Sequence, residues 1–425
     1  MELKEKYFHL MKRARQNASN GLIEMVREQP ARLQDERTPL ADLMEFIIKT
    51  AVAERASDVH FEPLEQEVRI RLRINGCMKQ FFQDMPWELY GNLLSRLKIM
   101  CGLDIAEKRL PQDGRFSFAA DGSRMLDIRV SIVPMINGEK IVLRLLNNQE
   151  SFKGIEQLDF TSRNYELLRQ KCTSGHGAVL LSGPVNSGKT TDLYAILSML
   201  NQEGRNIISI EDPVEYRIEG INQIQINEKI GYTFEMALRA VLRQDFDCLA
   251  VGELRNAETA DMLITSALTG RRVFATLHTP GAVKTIFRLL DMGIKPYLLA
   301  SAISLVVGQR LVKRLCPCCR EAYFVQKESG EGIFLGDEYR WQSDRFFKHR
   351  EGGCAACNYT GYAGRIAVQE LLSVEGDVAE AVMNNVKAED LEEIAMENGM
   401  IGMKQDGIAK AALGYLELTE LMEIF

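Results

Sequence analysis

The chain has 425 residues, 46% hydrophobic and 26% charged, so it is long enough for two to four domains whose cores need no disulfide staples. Its formal net charge of −7 argues against a general nucleic-acid binder. The charged stretch Met1–Gln16 lacks the apolar centre of a secretory leader, and the longest apolar run, Tyr297–Val307, is too short to cross a bilayer, so a cytoplasmic setting is expected.

Residues 1–37 are polar with weak helical spacing and read as a short helical extension. Thr38-Pro39 offers a capping hydroxyl and a proline at the first helical position. Leu40, Leu43, Met44, Ile47, Ile48 and Ala51 follow on one helical face. The period then changes. Val68, Ile70, Leu72 and Ile74 alternate with Arg69, Arg71, Arg73 and Asn75, which predicts a half-buried strand turning at Asn75-Gly76. Trp87–Cys101 reads as a second helix, Arg115–Ala120 and Arg124–Val133 as a hairpin about Asp121-Gly122, and Lys140–Leu146 as a last strand. Together these predict an α+β domain. A helix starting at Thr161 leads to Cys172. Strands are then expected at Gly177–Ser182, Asn206–Ile210, Cys248–Val251 and Val273–Thr276 with helices between, hence a parallel α/β sheet with its site at the carboxyl strand ends.

The strongest motif is Gly183-Pro184-Val185-Asn186-Ser187-Gly188-Lys189-Thr190, between a predicted strand and a helix-compatible stretch that begins at Thr191. This spacing lets backbone N–H groups wrap nucleotide phosphates. Lys189 then reaches the β- and γ-phosphates, and the Thr190 hydroxyl joins a Mg²⁺ shell. Two later strands end in acids, Glu211-Asp212 and Glu253, and a third ends at Thr276-Leu-His278-Thr279. Hydrolysis needs one acid for the metal shell and one to orient water. His278 is either a γ-phosphate sensor or a structural histidine.

Cys316/Cys319 and Cys354/Cys357 form two C-x-x-C hooks able to close on one structural zinc, while Cys77, Cys101, Cys172, Cys248 and Cys318 are scattered. Arg310, Lys313, Arg314 and Arg320 make the neighbouring sequence basic, which leaves a short nucleic-acid patch as a rival reading. From Ile366 to Phe425 there are thirteen acidic and three basic residues, read as a solvated helical tail in preference to a docking face.

In order, these motifs resemble the secretion ATPase family that powers type II secretion and type IV pilus assembly. The resemblance covers residues 40–425. It rests on Arg55-Ala-Ser-Asp58-Val-His60, Arg109-Leu-Pro-Gln-Asp113-Gly-Arg115, Asp127-Ile-Arg129 and Gly138–Arg144. It continues through the phosphate loop, Glu211-Asp212-Pro213-Val-Glu215-Tyr216, Arg243–Arg255, the histidine box, Gln309-Arg-Leu and Thr360–Arg365. It implies a RecA-like P-loop core with a PAS-like α+β amino-terminal domain and an inserted tetracysteine zinc element. The expected boundaries are 1–37, 38–150, a linker and helix at 151–172, the ATPase core at 173–315, the zinc element at 316–360 and a C-terminal strand and helices at 361–425.

The resemblance further implies a homohexamer that hydrolyses ATP with Mg²⁺ and contacts the membrane indirectly, through a polytopic inner-membrane platform protein. No nucleic-acid partner is expected. Glu211 is implied as base or water-positioning group, Glu253 as the Mg²⁺-side acid, and Arg129 and Arg144 as cations approaching the nucleotide across domains or subunits. Asn186, Asp192, Phe246, Asn256, Arg271 and Pro280-Gly281 depart from the family pattern. A nucleotide-gated ring with weak hydrolysis is therefore the alternative.

Overall fold

The computed structural model describes residues 6–7, 9–12, 39–74, 76–80, 82, 84–121, 124–146, 154–173, 176–336 and 345–425. The chain divides into two units, Met1–Glu150 and Ser151–Phe425. Most of the expected helical extension over 1–37 lies outside the described residues, as does Gly122 of the second expected turn.

The first unit is an α+β layer. Helix α1 (Pro39–Ala53) starts on its proline and buries all six apolar residues of its predicted face. Strands β1 (Ala56–Pro63), β2 (Glu67–Ile74), β3 (Cys77–Gln80) and β4 (Met85–Pro86) precede helix α2 (Trp87–Met100). Strands β5 (Gln112–Asp121), β6 (Arg124–Met135) and β7 (Gly138–Leu146) follow it. The sheet runs β3-β2-β1-β7-β6-β5, with β4 pairing β2, and its adjacent pairs are antiparallel.

In β2 the pleat sends Val68, Ile70, Leu72 and Ile74 into the core and leaves the arginines half-buried on the other face. There Arg69 and Arg71 both bond Glu62, at 3.1 and 2.7 Å. Register aligns a transverse row on that sheet, Arg73, Asp58, Arg144, Arg129 and Arg115, one from each of five adjacent strands. Arg144 Nε donates to Asp58 Oδ1 at 3.1 Å.

The second unit is built on a seven-stranded sheet. Helix α3 (Ser162–Thr173) leads to β8 (Gly177–Ser182), α4 (Lys189–Leu200), β9 (Ile207–Glu211), β10 (Asn222–Gln225) and α5 (Phe234–Val241). Then come β11 (Cys248–Val251), α6 (Ala257–Leu268), β12 (Arg272–Leu277), α7 (Ala282–Asp291), α8 (Pro296–Ala302) and β13 (Ile303–Leu315). The sheet order is β10-β9-β11-β12-β8-β13-β16, where β16 is Tyr362–Ser373. All pairs are parallel except β13–β16. Every residue of β8 is buried, and alternate ones serve opposite cores: Ala178 and Leu180 on one face, Val179 and Leu181 on the other.

The long apolar run Tyr297–Val307 is split between α8 and β13, and no helix among the described residues is long and apolar enough to cross a membrane. Strand β13 was not anticipated from the sequence. Its first half is covered on both faces, so it shows no two-residue alternation to read.

Beyond the shared sheet lie a two-stranded ribbon, β14 (Glu321–Phe324) with β15 (Arg345–Lys348), and helix α9 (Gly330–Leu335). Helices α10 (Gly376–Met383), α11 (Ala388–Glu397), α12 (Met403–Ala412) and α13 (Leu418–Met422) finish the chain. Helices α10 and α11 join the core that contains Ala178 and Leu180. Helices α12 and α13 pack on Val312, Ile366 and Val368, where β13 and β16 run on together.

One polar feature sits inside the first unit's core. Lys98, 1% exposed, pairs with Glu139 at 2.7 Å and donates to Glu107 O at 2.7 Å. Removing one member of a buried pair strands the other's charge. Lys98→Met should therefore destabilise the first unit by about 3–5 kcal/mol in denaturant unfolding of the full chain. The double variant Lys98→Met/Glu139→Leu should recover most of that loss.

Candidate nucleotide site

The loop from Gly183 to Gly188 links a wholly buried strand to a helix, so its backbone is fixed at both ends. Gly183 has φ +153°, and a Cβ there would lie 2.3 Å from Gln309 O and 2.4 Å from Ser187 Oγ, so no larger residue fits. Asn186 takes φ +64°, a left-handed conformation that asparagine tolerates well, so its departure from the family glycine leaves the loop intact. From β13, Gln309 Nε2 donates to Ser187 O at 2.8 Å and pins the loop from the side. Pro184, Val185, Asn186 and Thr190 are exposed, while Lys189 is only 6% exposed. Thr190 and Thr191 lie in the first turn of α4.

Three strand ends meet at Lys189. Its Nζ donates to Gly183 O at 2.6 Å and Pro184 O at 2.8 Å, and lies 3.3 Å from His278 Nδ1. The other ring nitrogen of His278 lies 3.2 Å from Glu253 Oε1. Glu253 Oε2 accepts from Arg255 Nε at 2.9 Å, and Arg255 reaches toward Asp212 at 3.8 Å. Burial pulls Lys189 down to about 8, against the opposing pull of the Glu253 charge. His278 therefore bridges the loop lysine and the β11 acid.

Glu211 stands apart from this chain of contacts. It is 3% exposed; Oε2 accepts from Tyr194 OH, and Oε1 from Ser209 Oγ at 2.5 Å and Gln223 Nε2 at 3.2 Å. Burial pushes its carboxyl up, and the three donors oppose that shift. Gly252 lets the end of β11 pass close by, since a Cβ there would sit 3.3 Å from Glu211 Cα. Arg129 and Arg144 belong to the first unit, opposite each other on β6 and β7.

Tyr194, Ser209 and Gln223 were not singled out from the sequence, and Arg255 entered only as the end of the Arg243–Arg255 motif. Tyr194 sits on the apolar face of α4, where periodicity marks the ring and carries no signal for the hydroxyl.

The remaining departures have local partners. Arg271 stacks over the Phe246 ring at 4.3 Å, so two unusual residues satisfy each other. Asn256 caps α6 by accepting from Thr259 N at 2.9 Å, as an aspartate would. Asp192 is buried in the first turn of α4, where a carboxylate meets the positive end of the helix dipole. Gly281 lies against Glu370, whose Oε1 accepts from Ala282 N at 2.6 Å and caps α7.

Cys316, Cys319, Cys354 and Cys357 come together, with all four sulfurs within 4.8 Å of one another. The pairs Cys316–Cys354 and Cys319–Cys357 are 3.9 Å apart, and Cys354–Cys357 3.8 Å. A zinc with Zn–S bonds of about 2.3 Å needs tetrahedral S–S edges of about 3.8 Å, so the donor set fits. Backbone N–H groups of Cys354 and Gly361 both donate to Cys357 Sγ at 3.2 Å, as thiolate sulfur favours. Cys318 is exposed and outside the cluster.

The four cations near these cysteines are not an open patch. Arg310 donates to Ile424 O at 3.1 Å, Lys313 pairs with Glu420 at 2.7 Å, Arg314 lies 3.6 Å from Asp159, and Arg320 bonds Gly414 O.

The family model for type II/IV secretion system proteins matches residues 33–423. The type II secretion system protein E of Pseudomonas aeruginosa is 40% identical over 391 residues, which span 92% of this chain and 76% of that protein. The type IV pilus assembly ATPase PilB of Myxococcus xanthus is 38% identical over 405 residues, 94% of this chain and 71% of that one. The crystal structure of the pilus retraction motor PilT with bound ADP superposes with a TM-score of 0.63 over 90% of this chain and 96% of that one. At 24% identity it is a likeness of fold.

Two outcomes follow from the site's geometry. The purified protein should carry one zinc per chain by elemental analysis, lost in Cys354→Ser and kept in Cys318→Ser. Below about 8, Lys189 is protonated and attracts phosphate; above it, binding must first restore the proton. Nucleotide affinity, read with a fluorescent ATP analogue, should therefore weaken as pH rises from 7 to 9, by up to about tenfold per unit.

Proposed function

The chain belongs to the type II/IV secretion system protein family, and from that premise we propose that it is an ATP-hydrolysing motor, working as a ring of six. It powers assembly of a type IV pilus, competence pilus or type II secretion pseudopilus from the cytoplasmic face of the inner membrane. The convergence of Lys189, Glu253 and His278 on one phosphate loop carries this reading.

Phosphoryl transfer asks a protein mainly for positioning and charge stabilisation. The loop's N–H groups cradle the phosphates. Lys189 exchanges the carbonyls of Gly183 and Pro184 for β- and γ-phosphate oxygens. The Thr190 hydroxyl and the Glu253 carboxylate are hard oxygen donors of the kind that hold Mg²⁺ beside phosphate. When bound, Mg²⁺ neutralises charge on the phosphate oxygens. His278 reports on the γ-phosphate to Glu253. Glu211 orients the attacking water, and Arg129 and Arg144 supply cations to the developing charge.

The core is read as RecA-like, the first unit as PAS-like, and the four cysteines as a structural zinc element. The partner is a polytopic platform protein, through which membrane contact is indirect. Engagement of Arg310, Lys313, Arg314 and Arg320 within the chain weighs against a nucleic-acid motor. Asn186, Asp192 and Arg271 are the departures that would favour a ring with weak hydrolysis. Their local accommodation supports turnover instead.

Steady-state ATP hydrolysis by the zinc-loaded protein tests the proposal. Lys189→Ala and Glu211→Gln should each lower kcat on the order of 100-fold or more. A wild type that binds ATP but hydrolyses it only at the background rate left in Glu211→Gln would replace the motor with the weakly hydrolysing ring.

A further inference from the structure

We propose that Tyr194 is a positioning residue for hydrolysis: its phenol holds the Glu211 carboxylate in place and ties it to the helix that presents Lys189 and Thr190. The inference rests on the water-orienting reading of Glu211 given above.

Tyr194 is 0% exposed, and it lies one turn past Thr190 on α4. Its hydroxyl has two partners. Glu215 N donates to it at 3.1 Å, and it donates to Glu211 Oε2. A backbone N–H can only donate, so the phenol oxygen accepts there and its single proton is left for the carboxylate. The direction of the bond is thereby fixed.

The other carboxylate oxygen is held separately, by Ser209 and Gln223. Ser209 belongs to the strand of Glu211 itself and Gln223 to its neighbour β10. Tyr194 alone among these donors comes from the helix of the phosphate loop. Among the hydrogen bonds to the Glu211 carboxylate, this hydroxyl is the link to α4. Packing does not require the oxygen: the ring meets Tyr216 edge-on at 4.5 Å, a contact phenylalanine would keep. A hydroxyl in an apolar core is tolerated only when bonded, and here both bonds lead to the segment that carries Glu211.

The test is Tyr194→Phe in the full-length, zinc-loaded protein, beside wild type and Glu211→Gln. The readouts are kcat, KM, the Kd of a fluorescent ATP analogue and thermal unfolding. The expected result is a fall in kcat on the order of tenfold or more, with KM and Kd unchanged within about twofold and the melting temperature retained. A kcat within about twofold of wild type, while Glu211→Gln abolishes turnover, overturns the proposal. So does a loss of kcat that comes with weakened nucleotide binding or a lowered melting temperature, because the hydroxyl is then a structural group. If Glu211→Gln itself turns over ATP normally, the assignment of Glu211 fails, and the role of Tyr194 falls with it.

Discussion

The register of the parallel sheet at its carboxyl edge is the constraint from which the site follows. Ser182, the last residue of β8, is paired with Leu277 on one side and Gly308 on the other. The next residues of β8 and β12, Gly183 and His278, therefore leave the sheet side by side, next to Gln309, where β13 continues. One strand further, Val251 is level with Ala275 and with Ile210, which brings Glu253 and Glu211 to the same edge. A slip of one residue in any of these pairings would turn its whole set of side chains to the other face. The fully buried faces of β8, β9, β11 and β12 forbid such a slip.

Within this frame two carboxylates of the same chemistry are given different surroundings. Glu253 keeps company with a histidine, an arginine and, through charge, Lys189. Glu211 is enclosed by three neutral donors and is pushed up by burial. The first arrangement suits a group that works among cations and phosphate. The second suits a carboxylate whose position is set by hydrogen bonds while burial raises its carboxyl. Environment, rather than residue type, separates the two acids.

The carboxyl-terminal segment is part of the same construction. Strand β16 pairs with β13 along nearly the whole of each strand, and helices α12 and α13 cover the far end of that pair. Arg310, Lys313 and Arg320 bond this segment and Arg314 pairs with Asp159, so a basic sequence beside an acidic one produces a closed surface. Next to it the cysteine hooks draw together two stretches separated by the β14–β15 ribbon. Gln369 closes the middle of the pair, where its N–H meets Asp406, which is itself bonded to Lys410.

By itself the sequence determined whatever depends on local geometry. The apolar face of α1, the alternation in β2, the strand and helix about the phosphate loop, and the two C-x-x-C hooks are written in residue type and spacing. Those signals arise within one element, so they survive without knowledge of neighbours. It also marked Glu211, Glu253 and His278 at strand ends and Lys189 in the phosphate loop. Tertiary structure alone decided which of them touch. His278 joins Lys189 to Glu253 because β12 lies between β8 and β11, an order no local pattern encodes. The hydroxyl of Tyr194, the partner of Arg271 and the strand at Ile303–Leu315 stayed hidden for the same reason: each is defined by contacts between residues remote in sequence.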